Sequence, residues 1–340
     1  MITFLISAIK IIILLGFLIT IHELGHFIVA KLCNIKVNEF SIGFGPTIWK
    51  KQGKETKYSL RLIPLGGFNS LEGEEEKSED ERSFSKASIP KRIVIVAAGA
   101  IVNILFAIVV YFILATAQGP YISNEVSDVI EGYAAKEAGI ETDDIIIEIE
   151  GNKIENRLDM NKVLRKSTGE ELEVKVQRNE EILDFNIKPT EVKITDEVSN
   201  YYLGVDLKSS PDTFVNRIIN GNIQTKEFLI SIVDNLKQLF TGKVGVDQMM
   251  GPVGISEVVA KTNGFVEFIE TMALISLSLG ITNLLPIPAL DGGRIILLII
   301  EAIRGKPLNQ NLEINIQLIG FSILIALSIY VTYNDILRIF

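Results

Sequence analysis

The sequence predicts an α-helical polytopic membrane protein with four transmembrane helices, membrane-associated β-hairpins and one inserted α/β domain. Three observations support this fold class. Mean hydropathy is +0.33 and 48% of the residues are hydrophobic. The apolar residues are concentrated in stretches of about 20 or more, which is the length that crosses a bilayer. Between the second and third of these stretches, short apolar runs alternate with turn residues, as is typical of strands.

Each apolar stretch is long enough to form a transmembrane helix. The first lacks the basic start and the small-residue cleavage site of a signal peptide, so we expect it to be retained. A shorter apolar helix is expected over 292–303, packed beside the third span. The four expected spans are 4–30, 92–117, 268–287 and 315–333.

The chain is expected to have four parts. Residues 1–117 contain the first two spans, joined by a glycine-rich loop that reads as β-hairpins over 40–68. Residues 118–206 form the inserted domain, in which helices alternate with strands. Residues 207–265 are amphipathic linker helices, and residues 266–340 contain the last two spans.

The distribution of charge predicts the orientation in the membrane. Residues 31–92 carry 12 Lys and Arg residues, whereas no basic residue follows the second span until Lys136. Basic loops stay in the cytoplasm, so we expect 31–92 to be cytoplasmic and the inserted domain to be extracytoplasmic. The formal net charge is −9, and the excess acid lies mainly in the central region, which argues against binding of nucleic acid there.

The first span contains both histidines of the chain, in "TIHELGHF", residues 20–27. Residues four apart lie on one face of a helix, so His22 and His26 are placed to bind one zinc ion. Glu23 is then placed to act as a general base. The alternative is a pair of histidines without a metal. Ionisable groups inside a span are costly and usually functional, which favours the zinc site.

A catalytic zinc site needs a third protein ligand and one open position. No third histidine exists, and the single cysteine, Cys33, lies about 10 Å beyond His26 along the helix axis, which is out of reach. We therefore expect a carboxylate ligand, Asp291 in "NLLPIPALDGG", 283–293. Two prolines and two glycines make the backbone around it irregular. The alternative is that Asp291 only caps a short helix that begins at Gly292.

Asn283 is a further candidate, eight residues before Asp291. Its amide could donate to a developing oxyanion or hold a substrate backbone. It could equally make only an interhelical hydrogen bond, which is common for asparagine in membrane bundles.

Together these motifs resemble the bacterial site-2 proteases, which are zinc intramembrane proteases that cut membrane-anchored anti-sigma factors. The resemblance covers essentially the whole chain and rests on HELGH, FSIGFGP, PLGGF, GPVGI and NLLPIPALDGG, in the expected order. The segment "GYAAKEAGIETDDIIIEIEGNKI" resembles the core of a PDZ domain, which that family carries between its second and third spans. Related enzymes often have two copies, whereas one fits here.

The resemblance implies His22, His26 and Asp291 as zinc ligands. It implies Glu23 as the catalytic base and Asn283 as a residue that contacts substrate or transition state. It also implies that the GFGP and PLGGF segments form a membrane-associated β-structure that pairs with an unwound substrate. The matching residues are Gly43, Phe44, Gly45, Gly66, Gly67 and Phe68, the last of which replaces the tyrosine usual in the family.

We therefore expect a zinc-dependent intramembrane endopeptidase in the bacterial cell membrane. Its partners would be the lipid bilayer and single-span, membrane-anchored substrates that another protease has already trimmed, such as anti-sigma factors or signal-peptide remnants. The PDZ-like domain would either exclude untrimmed substrates by size or bind a C-terminal carboxylate.

Two other classes of protein are a membrane metal transporter and a scaffold with a vestigial site. A transporter would need polar residues along a path through several spans, and the second and fourth spans have few. Glu23 argues against the scaffold, because a purely structural zinc site would not need a base.

Overall fold

The computed structural model describes residues 2–74, 78–193, 199–241 and 250–339. The chain divides into two compact units, Met1–Leu114 with Thr225–Phe340 and, between them, Ala115–Gln224. The helices are α1 (Ile2–Leu32), α2 (Ile89–Ala117), α3 (Ala134–Ala138), α4 (Arg157–Leu164), α5 (Phe214–Phe240), α6 (Pro252–Lys261), α7 (Phe265–Asn283), α8 (Asp291–Arg304) and α9 (Gln310–Ile339). The strands are β1 (Val37–Gln52), β2 (Lys57–Leu71), β3 (Ile122–Val129), β4 (Ile145–Ile149), β5 (Asn152–Lys153), β6 (Leu172–Arg178), β7 (Glu181–Ile187), β8 (Thr190–Lys193), β9 (Ser199–Tyr202) and β10 (Val205–Ser209).

Four helices, α1, α2, α7 and α9, are long and apolar enough to cross a membrane. Within the described residues this confirms the expected number and order of spans, although each helix has somewhat different bounds. The third ends earlier than expected, at Asn283, whereas the expected span continued to residue 287. Pro286 and Pro288 explain the early end, since a proline lacks the N–H that a helix needs and disfavours helical backbone just before it.

The loop between α1 and α2 forms one bent hairpin rather than the several hairpins expected over 40–68. β1 and β2 pair antiparallel overall, but residues 39–42 have partners in both 67–70 and 57–60, so the hairpin doubles back on itself. The bends coincide with positive φ angles at Gly43 (85°), Gly45 (82°) and Gly66 (136°), which glycine adopts without strain.

Helix α6 contains most of the GPVGI segment and is held at both ends by charged side chains of membrane helices. Asp335 of α9 is 2% exposed and accepts hydrogen bonds from the backbone N–H groups of Gly251 (3.2 Å) and Gly254 (2.8 Å). At the other end, Lys10 of α1 donates to the carbonyl (2.8 Å) and hydroxyl (3.2 Å) of Thr262. An anion at the N-terminus and a cation at the C-terminus both stabilise a helix through its dipole.

The clamped helix in turn supports α1. Val259 of α6 is buried against Leu14 and Leu18 of α1, together with Met272 of α7. The segment GPVGI, whose role the sequence did not explain, therefore builds part of the packing around the helix that carries both histidines.

The unit Ala115–Gln224 is a mixed α/β domain that contains the expected range 118–206. Its main sheet has the strand order β10-β3-β4-β6-β7, with β5 paired to β4, and β8 pairs with β9 separately. Helix α4 is capped by the side chain of Asn156, which accepts from the backbone of Leu158 and Asp159. The expectation of an inserted α/β domain is thus confirmed. In the expected linker 207–265, α5 and α6 are helical and residues 242–249 lie outside the described residues.

Replacing Asp335 by Ala should destabilise the membrane unit. The change leaves the N–H groups of Gly251, which is buried, and Gly254, which is half buried, without an acceptor, which costs about 1–2 kcal/mol. We expect a lower thermal midpoint for the purified protein in detergent, and a smaller decrease for Asp335→Asn, which keeps one acceptor oxygen. Equal midpoints for Asp335→Ala and the wild type would contradict the clamp.

A second prediction concerns the pH dependence of the inserted domain. Burial of the Asp144 carboxyl opposes its ionisation, but Arg178 (2.7 and 2.8 Å) and the backbone N–H of Glu141 (2.9 Å) donate to it. These bonds outweigh burial and hold the pKa of Asp144 below its usual value. The folded-state pKa is below the unfolded one, so ionised Asp144 stabilises the domain at neutral pH. That contribution is lost as the pH falls below about 3.9, through the folded pKa.

We therefore expect Asp144→Asn to lower the protection of the β4 amides against hydrogen exchange at pH 7. The difference from the wild type should shrink below about pH 4. The matched control is Glu141→Gln, because this exposed carboxylate pairs with the same Arg178 at 3.2 Å. A control variant that loses as much protection as Asp144→Asn would argue against this account.

Candidate metal centre

The three residues expected to bind zinc lie together. The Nε2 atoms of His22 and His26 are 3.2 Å apart, and Oδ2 of Asp291 lies 3.3 Å from Nε2 of His22 and 3.6 Å from Nε2 of His26. Both histidines belong to consecutive turns of α1, whereas Asp291 is the first residue of α8. Of the residues that the structure describes, only these three form a group of potential ligands close enough to share one metal ion.

The geometry fits a tetrahedral zinc ion. Two ligands at zinc bond lengths of about 2.0–2.1 Å lie about 3.3–3.4 Å apart, close to the three distances above. Two imidazoles and one carboxylate leave one position open, as in the catalytic zinc sites of hydrolases. In addition, Oδ2 of Asp291 is buried and has no hydrogen-bond donor within the described part of the chain. A buried acceptor without a donor is what a bound cation would satisfy.

Helix α2 orients one of the two imidazoles. Nδ1 of His26 lies 2.8 Å from the backbone carbonyl oxygen of Ile95. A carbonyl oxygen only accepts, so Nδ1 carries the hydrogen and donates a hydrogen bond to it. Nε2 therefore presents its lone pair to the metal position, which is the usual arrangement of a metal-binding histidine. Gly99 lets α2 pack against both histidine rings, because a Cβ at this position would lie 2.8 Å from Cε1 of His22 and would also overlap the ring of His26.

A second glycine lets the two helices approach each other. A Cβ at Gly25, between the two histidines, would lie 2.5 Å from the carbonyl oxygen of Ala98. This role of Gly25 and Gly99 was not predicted from the sequence. The run of small residues "AAGA", 97–100, is a signal that could have found it, since small residues mark close helix contacts in membranes.

The N-terminus of α8 positions Asp291. A Cβ at Gly292 would overlap the carbonyl groups of Leu284 and Leu285, and one at Gly293 would overlap Ile287. The two glycines thus let α8 begin directly against the turn that follows α7. The helix begins at Asp291 itself, and its cap residue, Leu290, makes no side-chain cap hydrogen bond. The capping alternative for Asp291 therefore finds no support.

The fourth membrane helix holds the same turn. Oε1 of Gln317 on α9 accepts a hydrogen bond from the backbone N–H of Ala289. Ala289 has a φ of 74°, an uncommon conformation for a residue with a side chain. No role for Gln317 was predicted from the sequence. It fixes the backbone two residues before Asp291.

Glu23 lines the same cavity as the three ligand atoms. The cavity has a volume of about 220 Å³ and is also lined by Phe68, Asn69 and the ion pair of Glu74 with Arg294. Asn69 donates to Oε2 of Glu23 at 2.8 Å and to its backbone carbonyl at 2.6 Å. No role for Asn69 was predicted from the sequence, although this residue directly follows the PLGGF segment.

The residues expected to bind substrate are divided between two places. Phe68 lines the cavity. Gly67 lies against Glu23, because a Cβ at Gly67 would be 3.2 Å from Cγ of Glu23. Gly66 lies under the ring of Phe44, whose side chain is 47% exposed. Gly43, Phe44 and Gly45 form the bend of β1 and do not line this cavity.

Asn283 is half buried at the end of α7. Its side chain does not line the cavity and makes no hydrogen bond to another residue that the structure describes. The interhelical hydrogen bond considered for it is therefore not observed.

Comparison with known proteins shows the family to which the chain belongs. The sequence model of peptidase family M50 matches residues 10–327. The chain is 35% identical over 324 residues to a Clostridium acetobutylicum protein that is provisionally named a zinc metalloprotease. The alignment covers 94% of each chain. A Fusobacterium nucleatum protein with the same provisional name is 34% identical, with 99% of each chain covered.

A third relative is the regulator of sigma-W protease RasP of Bacillus subtilis. It is 31% identical over 420 aligned residues, covering 98% of this chain and 99% of the relative. The resemblance to site-2 proteases is thus confirmed over nearly the whole length. The chain belongs to peptidase family M50 and is a zinc metalloprotease of the site-2 protease type.

Proposed function

We propose that this chain is an intramembrane endopeptidase that cleaves the transmembrane segments of single-span, membrane-anchored proteins. One observation carries the proposal: the three converging ligand atoms and Glu23 share a cavity beside α1, a helix able to cross a membrane. Ionisable groups on such a helix are costly and mark functional sites. Their position there suits a substrate that is itself embedded in the bilayer.

In this proposal His22, His26 and Asp291 hold the zinc ion. Zinc, when bound, supplies the Lewis acidity that makes water nucleophilic at neutral pH and polarises a peptide carbonyl. Glu23 takes the proton from the attacking water and returns it to the leaving amine. Asn283 contacts the substrate or the transition state in this proposal, which requires the end of α7 to meet the substrate.

The substrate must be unwound before it can react. In a transmembrane helix the backbone N–H and C=O groups are bonded internally, so water cannot attack until they are released. Among the residues that the structure describes, 67–71 of β2 pair only with β1, so an unwound segment could add beside them as a strand and satisfy its backbone groups. The residues that would shape this binding edge are Gly43, Phe44, Gly45, Gly66, Gly67 and Phe68.

The substrate class follows in part from a relative. The Bacillus subtilis relative is named a regulator of sigma-W protease. We therefore favour a membrane-anchored regulator of a sigma factor as the substrate, with signal-peptide remnants as the second candidate. In both cases we propose that another protease first removes the part of the substrate outside the membrane.

The inserted domain is proposed to be PDZ-like and extracytoplasmic, with residues 31–92 in the cytoplasm. Its α/β architecture and the basic residues of 31–92 support these assignments. It would act either as a filter that rejects untrimmed substrates or as a receptor for a C-terminal carboxylate.

Glu23→Gln should abolish cleavage while zinc stays bound. The change removes the base and leaves all three ligand side chains in place, so cleavage of a reporter transmembrane segment should fall at least about 100-fold. Zinc per chain, measured by mass spectrometry of the metal, should equal that of the wild type. The matched control is Glu81→Gln, whose carboxylate is 91% exposed and should be dispensable. Full activity of Glu23→Gln would sink the assignment of the base.

Removal of the inserted domain separates its two proposed roles. Ser209 pairs with Ile122, so residues 122–209 can be replaced by a short Gly-Ser linker between ends that are already adjacent. A size filter predicts that the shortened protein cleaves both trimmed and untrimmed substrate. A receptor predicts that it cleaves neither, with zinc content unchanged. Cleavage of trimmed substrate alone, as in the intact protein, would contradict both roles.

A further inference from the structure

We propose that Asn69 is a positioning residue that holds the Glu23 carboxylate in the orientation it needs as a base. The inference rests on the proposed function, because the orientation of Glu23 matters for the reaction only if Glu23 is the base. Neither the resemblance to site-2 proteases nor the family match gives Asn69 a role.

The contacts of Asn69 are directed at one residue. Its Nδ2 group donates one hydrogen bond to Oε2 of Glu23 (2.8 Å) and a second to the backbone carbonyl oxygen of Glu23 (2.6 Å). The same amide group of Asn69 therefore holds both the carboxylate and the main chain of Glu23. A free glutamate side chain rotates about three bonds, and ordering it costs up to about 2 kcal/mol. The hydrogen bonds from Asn69 fix the orientation of the Glu23 side chain before a substrate binds.

The hairpin places Asn69 there through its strand register. Asn69 pairs with Phe40 of β1, and Gly67 lies two residues earlier on the same strand. Residues two apart in a strand point to the same side of the sheet. Gly67 leaves room for the methylene groups of Glu23, and Asn69 meets the carboxylate.

The other end of the amide is free to act in the cavity. Oδ1 of Asn69 is buried and has no hydrogen-bond donor among the described residues. The opposite orientation of the amide would turn this oxygen towards two acceptors of Glu23, so the observed orientation is the favourable one. Oδ1 is thus available to accept a hydrogen bond from water inside the cavity that Asn69 lines.

The test compares Asn69→Leu with a matched control, Asn38→Leu. Asn38 lies on β1 of the same hairpin, and its Nδ2 donates to the carboxylate of Glu72 at 3.0 Å. Both variants remove an amide-to-carboxylate hydrogen bond from the hairpin, but only one of these bonds reaches Glu23. Purified full-length proteins are reconstituted in vesicles with a reporter transmembrane substrate. The measurements are kcat, KM, zinc per chain and the thermal midpoint.

We expect Asn69→Leu to lower kcat by about 10- to 100-fold with KM changed less than about twofold, since misplacement of a catalytic group costs up to about 100-fold. Zinc content and thermal midpoint should match those of Asn38→Leu, which should keep the wild-type kcat. Asn69→Gln, which keeps the donor on a longer side chain, should restore part of the lost kcat.

Two outcomes would overturn the inference. One is a kcat for Asn69→Leu within about twofold of the Asn38→Leu value, given that a misplaced base should cost more. The other is a loss that follows a fall in zinc content or thermal midpoint, which is what a merely structural role predicts. Glu23→Gln, measured in the same assay, separates this from failure of the proposed function. If that variant is active, the base itself is misassigned, whereas an inactive Glu23→Gln beside a fully active Asn69→Leu rejects only the role of Asn69.

Discussion

The structure around the candidate metal centre depends on one constraint: two imidazoles and one carboxylate lie within 3.6 Å of one another among helices that are apolar enough to cross a membrane. Three acceptor groups so close together repel one another unless a cation lies between them, and few waters are present in a bilayer to screen them. Close helix packing makes the arrangement possible. Gly25 and Gly99 let α1 and α2 touch, and the glycines that begin α8 let Asp291 approach from the other side.

The motifs that identify the family each have a physical role in this structure. HELGH brings two imidazole nitrogens that could bind a metal, with Glu23 beside them on α1, and LDGG places the Asp291 carboxylate close to both, directly after an irregular turn. PLGGF brings the backbone of Gly67 against the methylene groups of Glu23. The GPVGI segment begins a helix clamped between Asp335 and Lys10, far along the chain from the metal centre but packed on the helix that carries it.

The sequence alone predicted the four spans, the inserted α/β domain and the approach of His22, His26 and Asp291 to one another. Helical spacing put His22 and His26 on one face, and the lack of any other histidine pointed to a carboxylate. It did not predict Gly99, Gln317 or Asn69, because their roles depend on contacts between segments distant in the chain. It also expected several hairpins where one bent hairpin forms, since the number of bends depends on φ angles that only the folded backbone reveals.

X-ray absorption at the zinc edge, measured on the purified full-length protein, tests the central claim most directly. The account predicts one zinc ion per chain, bound by two imidazole nitrogens and by oxygen at about 2.0–2.2 Å, with no sulfur. The two imidazoles would be His22 and His26, the only histidines of the chain. A sulfur ligand at about 2.3 Å, which only Cys33 or a methionine could provide, or a spectrum with fewer than two imidazoles, would contradict the assignment of the site.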